Sequence, residues 1–159
     1  MVTALEVTRQ TLHIPVYLQD VKITERALID SGAGANLISK ELAANLKLPL
    51  VELRRLITVG NVDGSKNING TINYRTIAPV TIAGRQHIVS FLVAGIGDQD
   101  IILGLPWLVR ENPKIDWKAG TLQWEPEQIE FDEETLTVRL LESFEEDEQL
   151  LDLEDEIFI

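Results

Sequence analysis

Hydrophobic and polar residues alternate with a period of two along much of the first 124 residues. The clearest run covers residues 12–18, where Leu, Ile, Val and Leu alternate with His, Pro and Tyr. This pattern is typical of a strand with one buried face. The dipeptide Gln19-Asp20 is short enough to turn the chain into a second strand that runs on to Asp30. We therefore expect a mostly β domain that begins with a hairpin.

Three further hairpins follow from the same reasoning. Between Leu56 and Ile72, two β-leaning arms flank a middle rich in Gly, Asn and Asp, which predicts a long hairpin with a mobile tip. Residues 76–94 predict a second pair of strands around a short glycine turn. Residues 114–124 predict a closing hairpin with a Trp on each arm. We expect Trp117 and Trp124 to pack in the core.

Twice the chain runs from an apolar strand through a glycine turn into a short helix. The first copy is Leu28-Ile29-Asp30-Ser31-Gly32, followed by a two-turn helix over residues 40–46 that Ser39 can cap. The second copy is Ile102-Leu103-Gly104, followed by a helix over residues 105–111 with a proline near its start. Only the first copy carries a carboxylate, although Asp-Ser-Gly also occurs in ordinary turns.

The amino-acid composition excludes several classes of protein. The chain has 159 residues, of which 45% are hydrophobic and 25% charged, as in an ordinary soluble globular domain. No apolar run reaches the roughly 18 residues of a membrane span, and residues 1–10 lack the features of a secretory signal. Because the chain has no Cys, disulfides, thiolate metal sites and cysteine catalysis are excluded. We expect an intracellular protein that does not bind membranes.

The net charge of −12 is concentrated in one segment. Residues 1–124 hold 13 Lys and Arg against 11 Asp and Glu, a net of +2, whereas residues 125–159 hold one Arg against 15 acids, a net of −14. This shift divides the chain into an N-terminal extension (1–10), a folded domain (11–124) and an acidic tail or linker (125–159). Such acidic blocks are usually solvated linkers or interaction tails.

Apolar residues in the tail argue against full exposure. Leu136, Val138 and Leu140 alternate like a strand, and further Leu, Ile and Phe residues continue to Ile159. Leaving them all in water would be costly. Part of the tail is therefore expected to dock on a partner or on its own domain.

The chain lacks the residue patterns of most kinds of catalytic and binding site. His13 and His87 lie in strand patterns without neighbouring ligands, which favours packing or solvent-facing roles over a metal site. No Gly-x-Ser-x-Gly motif or phosphate-binding glycine loop is present. The adjacent basic pair Arg54-Arg55 has no aromatic interleaving, so nucleic-acid binding is not expected. The candidate that remains is the carboxylate of Asp30 at the end of a strand. We expect neither a metal ion nor a cofactor.

The sequence resembles the retroviral-type (retropepsin-like) aspartic proteases, especially those of gypsy-type LTR retrotransposons, over about residues 12–124. The resemblance rests on several motifs in the correct order: Ala27-Leu28-Ile29-Asp30-Ser31-Gly32-Ala33, Asn36-Leu37-Ile38-Ser39, Asn61-Val62-Asp63-Gly64-Ser65, Asp100-Ile101-Ile102-Leu103-Gly104-Leu105-Pro106-Trp107-Leu108 and Asn112-Pro113-Lys114-Ile115-Asp116-Trp117. The protease-like domain of the DNA-damage-inducible protein shares the acid turn and the Leu-Gly strand. The two motifs around Trp107 and Trp117 favour the transposon group.

The resemblance implies an all-β, small, closed barrel-like acid-protease fold with one or two short helices, forming one half of a two-fold dimeric protease. Peptide hydrolysis by carboxylates needs two of them around one water. Asp63 and Asp116 do not reproduce the Asp30 turn, so the second acid is expected from a second copy of the chain. The implied partners are a homodimer mate and a polypeptide substrate, with no nucleic acid.

Roles follow from the resemblance residue by residue. Asp30 is the expected catalytic acid/base. Active-site support is expected from Ser31, Gly32 and Ala33, flap and substrate contacts from Asn61, Val62, Asp63 and Gly64, and structural backing from Ile102, Leu103 and Gly104. The expected substrate is a retrotransposon polyprotein, processed in the cytoplasm or in a particle. The alternative is a catalytically silent dimerisation or peptide-binding module whose acidic tail recruits a partner.

Overall fold

The computed structural model describes residues 11–18, 21–60, 66–125, 134, 141 and 156–158. Within these residues lie ten strands and two complete helices, which confirms the all-β prediction with short helices. In chain order they are β1 Leu12–Leu18, β2 Val21–Ile29, β3 Leu37–Ser39, α1 Lys40–Asn45, β4 Val51–Gly60, β5 Lys66–Ile82, β6 Arg85–Ala94, β7 Ile101–Leu103, α2 Leu105–Glu111, β8 Lys114–Asp116, β9 Thr121–Gln123 and β10 Glu156–Phe158. Neither helix is long and apolar enough to cross a membrane.

Eight of the strands form one sheet that closes on itself. Their order is β1-β2-β7-β3-β6-β5-β4-β10, and β1 also pairs with β5 through Tyr17 opposite Thr81 and Leu18 opposite Val80. This additional pairing joins the first and sixth strands of the order, so six strands form a closed barrel. β4 and β10 extend the sheet beyond the closure. β8 and β9 form a separate hairpin.

The predicted first hairpin is confirmed, because β1 and β2 pair antiparallel. Every second residue of β1 is buried, in the alternation that the sequence predicted. The pairing shifts register between Ile14 and Val16, around Pro15, which has no N–H to donate to a neighbouring strand. The bulge lets β1 keep its apolar face on the core despite the proline.

Both predicted helices are present. Neighbouring residues determine where α1 begins and where α2 begins and ends. The Ser39 hydroxyl accepts a hydrogen bond from the amide of Leu42 at 3.0 Å, so it caps α1 as predicted. Pro106 occupies the first turn of α2, where its missing N–H costs nothing. Asn112 then adopts a left-handed conformation (φ 44°) that ends the helix.

The other predicted hairpins are confirmed as antiparallel pairs: β4 with β5, β5 with β6, and β8 with β9. Positive φ angles at Ala83 (48°) and Gly84 (79°) build the two-residue turn between β5 and β6. The tip of the long β4–β5 hairpin, residues 61–65, lies outside the described residues.

The two tryptophans of the closing hairpin differ. Trp124 packs against the main core and donates from its indole Nε1 to the carbonyl of Ile82 at 2.9 Å, as expected of a core residue. The prediction for Trp117 is wrong, since it is 52% exposed. The carboxylate of Asp116 accepts from the amides of Lys118 and Ala119 and closes a tight turn after β8. Trp117 lies in this turn, beyond the end of the sheet.

The acidic tail returns to the folded domain at its C-terminal end. Residues 156–158 form β10, which pairs parallel to β4. The strand predicted around Leu136, Val138 and Leu140 and the N-terminal extension (1–10) lie outside the described residues. Leu141 is described and exposed. The expectation that part of the tail docks on its own domain is therefore met by β10.

Candidate active site

Asp30 stands at the end of β2, next to the end of a parallel strand. β2 and β7 pair with Leu28 opposite Ile102 and Ile29 opposite Leu103. One residue further, the amide of Asp30 donates to the carbonyl of Leu103 at 3.0 Å. Because two parallel strands end together here, the backbone that carries the acid is fixed on the rim of the barrel core.

The acid turn is held by its own backbone. The Oδ1 atom of Asp30 accepts from the amide of Gly32 at 2.9 Å, and the Asp30 carbonyl accepts from the amide of Ala33 at 3.1 Å. Ser31 and Gly32 are exposed, whereas Ala33 is fully buried. The turn therefore presents a half-buried carboxylate to solvent while its far end is anchored in the core.

Gly32 lies close to the side chain of Asp30, a contact that the sequence did not show. We expected glycine here for a tight turn, yet Gly32 is not among the residues with a positive φ. A Cβ at this position would instead lie 3.2 Å from the Oδ1 of Asp30. The glycine therefore leaves room for the carboxylate itself.

Gly104 lies against the acid turn on the side away from solvent. Its amide donates to the buried Oδ1 of Asn36 at 3.0 Å, and the next amide, of Leu105, donates to the carbonyl of Ala33 at 2.9 Å. A Cβ on Gly104 would collide with the carbonyl of Ala35 and lie 2.7 Å from that of Ala33. The strand end at residues 102–104 and the acid turn are therefore packed backbone to backbone.

Asn36 is a residue whose role the sequence analysis did not identify. It is 4% exposed and its side chain joins β7 to the segment between the acid turn and β3. β3 pairs with β7 through Leu37 opposite Ile102, so Asn36 is brought to Gly104 by this register. A polar residue between Ala35 and the apolar strand was the available signal.

The long hairpin packs on the same apolar cluster as the acid turn. A core cluster separate from the barrel interior joins the acid turn to the first arm of the hairpin; its members are Ala33, Ala35, Leu37, Ile57, Val59, Ile72, Leu92, Ala94, Ile96 and Ile102. β4 therefore packs on the same cluster as the turn that carries Asp30. The predicted flap residues Asn61, Val62, Asp63 and Gly64 lie just beyond the described end of β4, outside the described residues.

Asp116 and His13 are engaged away from the acid turn. The carboxylate of Asp116 closes its own turn, and the Nε2 of His13 lies 3.2 Å from the Oε1 of Gln99. Among the residues that the structure describes, no group of three or more His, Asp and Glu side chains could hold a metal ion. Asp30 is thus the acid around which the described site is built.

Buried His87 and half-buried Glu111 form a pair distant in sequence from the acid turn. His87 is 6% exposed, and its Nδ1 lies 3.3 Å from the Oε2 of Glu111. Burial raises the pKa of Glu111, but hydrogen bonds and charge interactions with His87 and Arg110 outweigh it and hold the pKa below the ordinary 4.5. The His87 ring lies 6.2 Å from that of Trp107 and 4.7 Å from that of Trp124. The prediction of a packing role for His87 did not include its acidic partner.

Comparison with known proteins gives the family. Residues 26–134, more than half of the chain, match the model of the PEG10/RTL1 protease domain. The retroviral protease-like domain of Ddi1 from Leishmania major is 28% identical, with a TM-score of 0.52 over 73% of this chain and 90% of that one.

Two proteases are also similar in structure. A retropepsin-like aspartic protease from Rickettsia conorii is 26% identical (67% of this chain, 76% of that one, TM-score 0.47). The EIAV protease complexed with the inhibitor HBY-793 is 22% identical (72% and 99%, TM-score 0.44). The family match and the Leishmania structure carry the assignment. The chain belongs to the PEG10/RTL1 protease domain family and has a retropepsin-like fold.

Proposed function

We propose that this protein is an aspartic endopeptidase that is active as a homodimer. The observation that carries the proposal is the acid turn: Asp30 is fixed at the end of two parallel strands by the Leu103 carbonyl, with its carboxylate facing solvent. One carboxylate is half of what the reaction needs. A second copy related by a two-fold axis supplies the other without any further site in the chain.

In the proposed reaction, one water lies between the two Asp30 carboxyl groups. The ionised carboxylate takes a proton from the water, and the resulting oxygen attacks the scissile carbonyl carbon while the protonated carboxyl group donates to the carbonyl oxygen. The tetrahedral intermediate then breaks its C–N bond, and the leaving nitrogen receives the proton taken from the water. One hydroxyl of the intermediate returns its proton to the second carboxylate as the new carboxyl group forms, which restores the starting protonation of the pair. The products are a new carboxyl terminus and a new amino terminus.

The neighbouring residues have supporting roles in this proposal. The exposed Ser31 would hydrogen-bond across the dimer axis and hold the two turns together. Gly32 and Ala33 keep the turn slim enough for a substrate backbone to approach. Ile102, Leu103 and Gly104 back the turn through the hydrogen bonds described above. No cofactor takes part.

The long hairpin is the proposed flap. Its arms are β4 and β5, and its tip holds Asn61, Val62, Asp63 and Gly64. Closure over an extended peptide would add main-chain hydrogen bonds and exclude bulk water from the reacting groups. The packing of Ile57 and Val59 on the cluster that contains Ala33 supports this assignment, because these two residues belong to the end of β4 that leads into the hairpin tip.

The proposed substrate is a polyprotein of a gypsy-type LTR retrotransposon, cleaved inside the cell, in the cytoplasm or within a particle. The ordered motifs from the acid turn to Asp116-Trp117 support this origin, together with the match to the PEG10/RTL1 protease domain. In such polyproteins a reverse transcriptase follows the protease, so the acidic tail would connect the two.

The test is cleavage of a peptide library by the full chain at mildly acidic pH. Asp30→Asn should abolish cleavage, a loss of at least about 10²–10⁴-fold, without changing the unfolding midpoint. Asp116→Asn is the matched control, since its carboxylate closes a remote turn, and should retain activity. Sedimentation should show a dimer. Full activity in Asp30→Asn would refute the proposal, and an inactive wild-type chain would favour a peptide-binding module.

A further inference from the structure

Residues 57–60, at the end of β4 next to the hairpin tip, lie between two strands of the sheet. On one side Ile57 pairs with Ile72 and Thr58 with Thr71 of β5. On the other side Thr58, Val59 and Gly60 pair with Glu156, Ile157 and Phe158 of β10, in parallel. The edge of β4 that faces away from its hairpin partner is therefore occupied by the C-terminal end of the acidic tail.

This edge belongs to the strand that shares an apolar cluster with the acid turn. Ile57 and Val59 are buried in the cluster that contains Ala33 of the acid turn, whereas Thr58 between them is exposed. A strand added along Thr58–Gly60 consequently lies beside the arm that packs on the turn carrying Asp30. The end of the tail therefore reaches this strand, although the tail begins at Glu125, after the closing hairpin in sequence.

An open strand edge binds extended peptides through main-chain hydrogen bonds, which are largely independent of side chains. Under the proposed function, β4 is the arm of the flap along which an extended substrate would add a strand. The three residues of β10 already make that type of pairing. A tail strand and a substrate strand cannot use the same N–H and C=O groups at once.

Charge favours the tail as the occupant. Residues 125–159 carry a net charge of −14, and residues 1–124 a net charge of +2. β4 itself presents the exposed basic residues Arg54 and Arg55 before the paired segment. Opposite charge raises the local concentration of the tethered acidic tail near this strand.

We infer that the C-terminal strand Glu156–Phe158 is an autoinhibitory strand, which occupies the peptide-binding edge of β4 and has to leave before an extended substrate can pair there. The inference rests on the proposed function, because it assumes that peptides bind beside Asp30. It adds that the chain regulates access to its own site, and that the occupant is an acidic-apolar segment of the same chain.

The experiment uses the full chain with Ile157→Pro, which places a residue without an N–H in the middle of β10. Leu153→Pro is the matched control, with the same substitution in the same tail but before the strand. Two quantities are measured: the Kd for pepstatin A, and the hydrogen-exchange protection of the amides of residues 58–60. If the tail is docked about nine-tenths of the time, Ile157→Pro should bind pepstatin A about tenfold more tightly and lose protection at this edge. Leu153→Pro should change neither quantity.

Each other outcome is decisive. Tighter binding in both proline variants, unchanged binding in Ile157→Pro, or unchanged protection in Ile157→Pro would overturn the inference while leaving the protease assignment intact. If pepstatin A binds neither the wild type nor any variant, the proposed function fails and the inference with it. A peptide of residues 150–159 added to Ile157→Pro should weaken pepstatin A binding again, and absence of this competition would count against the autoinhibitory strand.

Discussion

The side chain of Asn36 accepts a hydrogen bond from the amide of Gly104 across 3.0 Å in the interior. This contact joins the segment after the acid turn to the end of β7. The same strand accepts a hydrogen bond from the amide of Asp30 through the carbonyl of Leu103. The two strand ends and the turn therefore form one hydrogen-bonded unit. The position of Asp30 therefore depends on Asn36, Leu103 and Gly104, which have no part in the proposed proton transfers.

Asn36→Ala should destabilise the protein by about 1–3 kcal/mol, because it leaves the buried amide of Gly104 without its acceptor. The free energy of unfolding in urea measures this effect. Asn45→Ala is the control: Asn45 is exposed at the end of α1, so the change should stay within about 0.5 kcal/mol. Equal stability of Asn36→Ala and wild type would show that water or a rearranged side chain replaces the bond.

Gly104→Ala should be destabilising by about 1–3 kcal/mol or more, because the added methyl group meets backbone carbonyls of Ala33 and Ala35 that cannot rotate away. Thermal and urea unfolding are the appropriate measurements. Activity should fall as well, since relief of the clash moves the acid turn. An unfolding midpoint equal to that of wild type would contradict the close backbone packing of these two segments.

Gly32→Ala should separate function from stability. The added methyl group would lie 3.2 Å from the Oδ1 of Asp30, so the flexible carboxylate has to move rather than the backbone. The free energy of unfolding should change by less than about 1 kcal/mol. Peptide cleavage should fall about 10- to 100-fold because the acid is misplaced. Comparison of kcat/KM with the unfolding midpoint tests this. A loss of stability equal to that of Gly104→Ala would refute the distinction.

Glu111 should make stability depend on pH in the acidic range. Its pKa in the folded protein lies below the ordinary 4.5, so the unfolded chain binds the proton more readily. The stabilisation is present above about pH 4.5 and is lost as the pH falls through the lower folded value.

Glu111→Gln should therefore flatten the dependence of the unfolding free energy on pH below about 4.5. The measurement is a series of urea titrations from neutral to acidic pH. Glu52→Gln, at an exposed position of β4, serves as the control and should keep the wild-type slope. The same slope in all three proteins would show that the His87–Glu111 pair has no role in acid unfolding.

Features that depend on neighbours in the sequence were predicted correctly. The alternation of residues 12–18 determined which face of β1 is buried, and Ser39 determined where α1 begins. The position of Asp30 immediately after an apolar run placed it at a strand end. These outcomes follow from the two-residue period of a strand and from hydrogen bonds that span three residues, so the rest of the chain has little influence on them.

Contacts between distant segments were decided by the tertiary structure. The sequence indicated neither that Asn36 binds Gly104 nor that His87 meets Glu111, because each pair is brought together by strand order and register. Trp117 was predicted in the core from its strand pattern, and the turn closed by Asp116 leaves it exposed. Apolar residues in the tail suggested docking, but only the pairing of β10 with β4 identified the surface. Local patterns fix which faces are apolar, whereas the choice of partner depends on the free edges and spaces that remain once the barrel has closed.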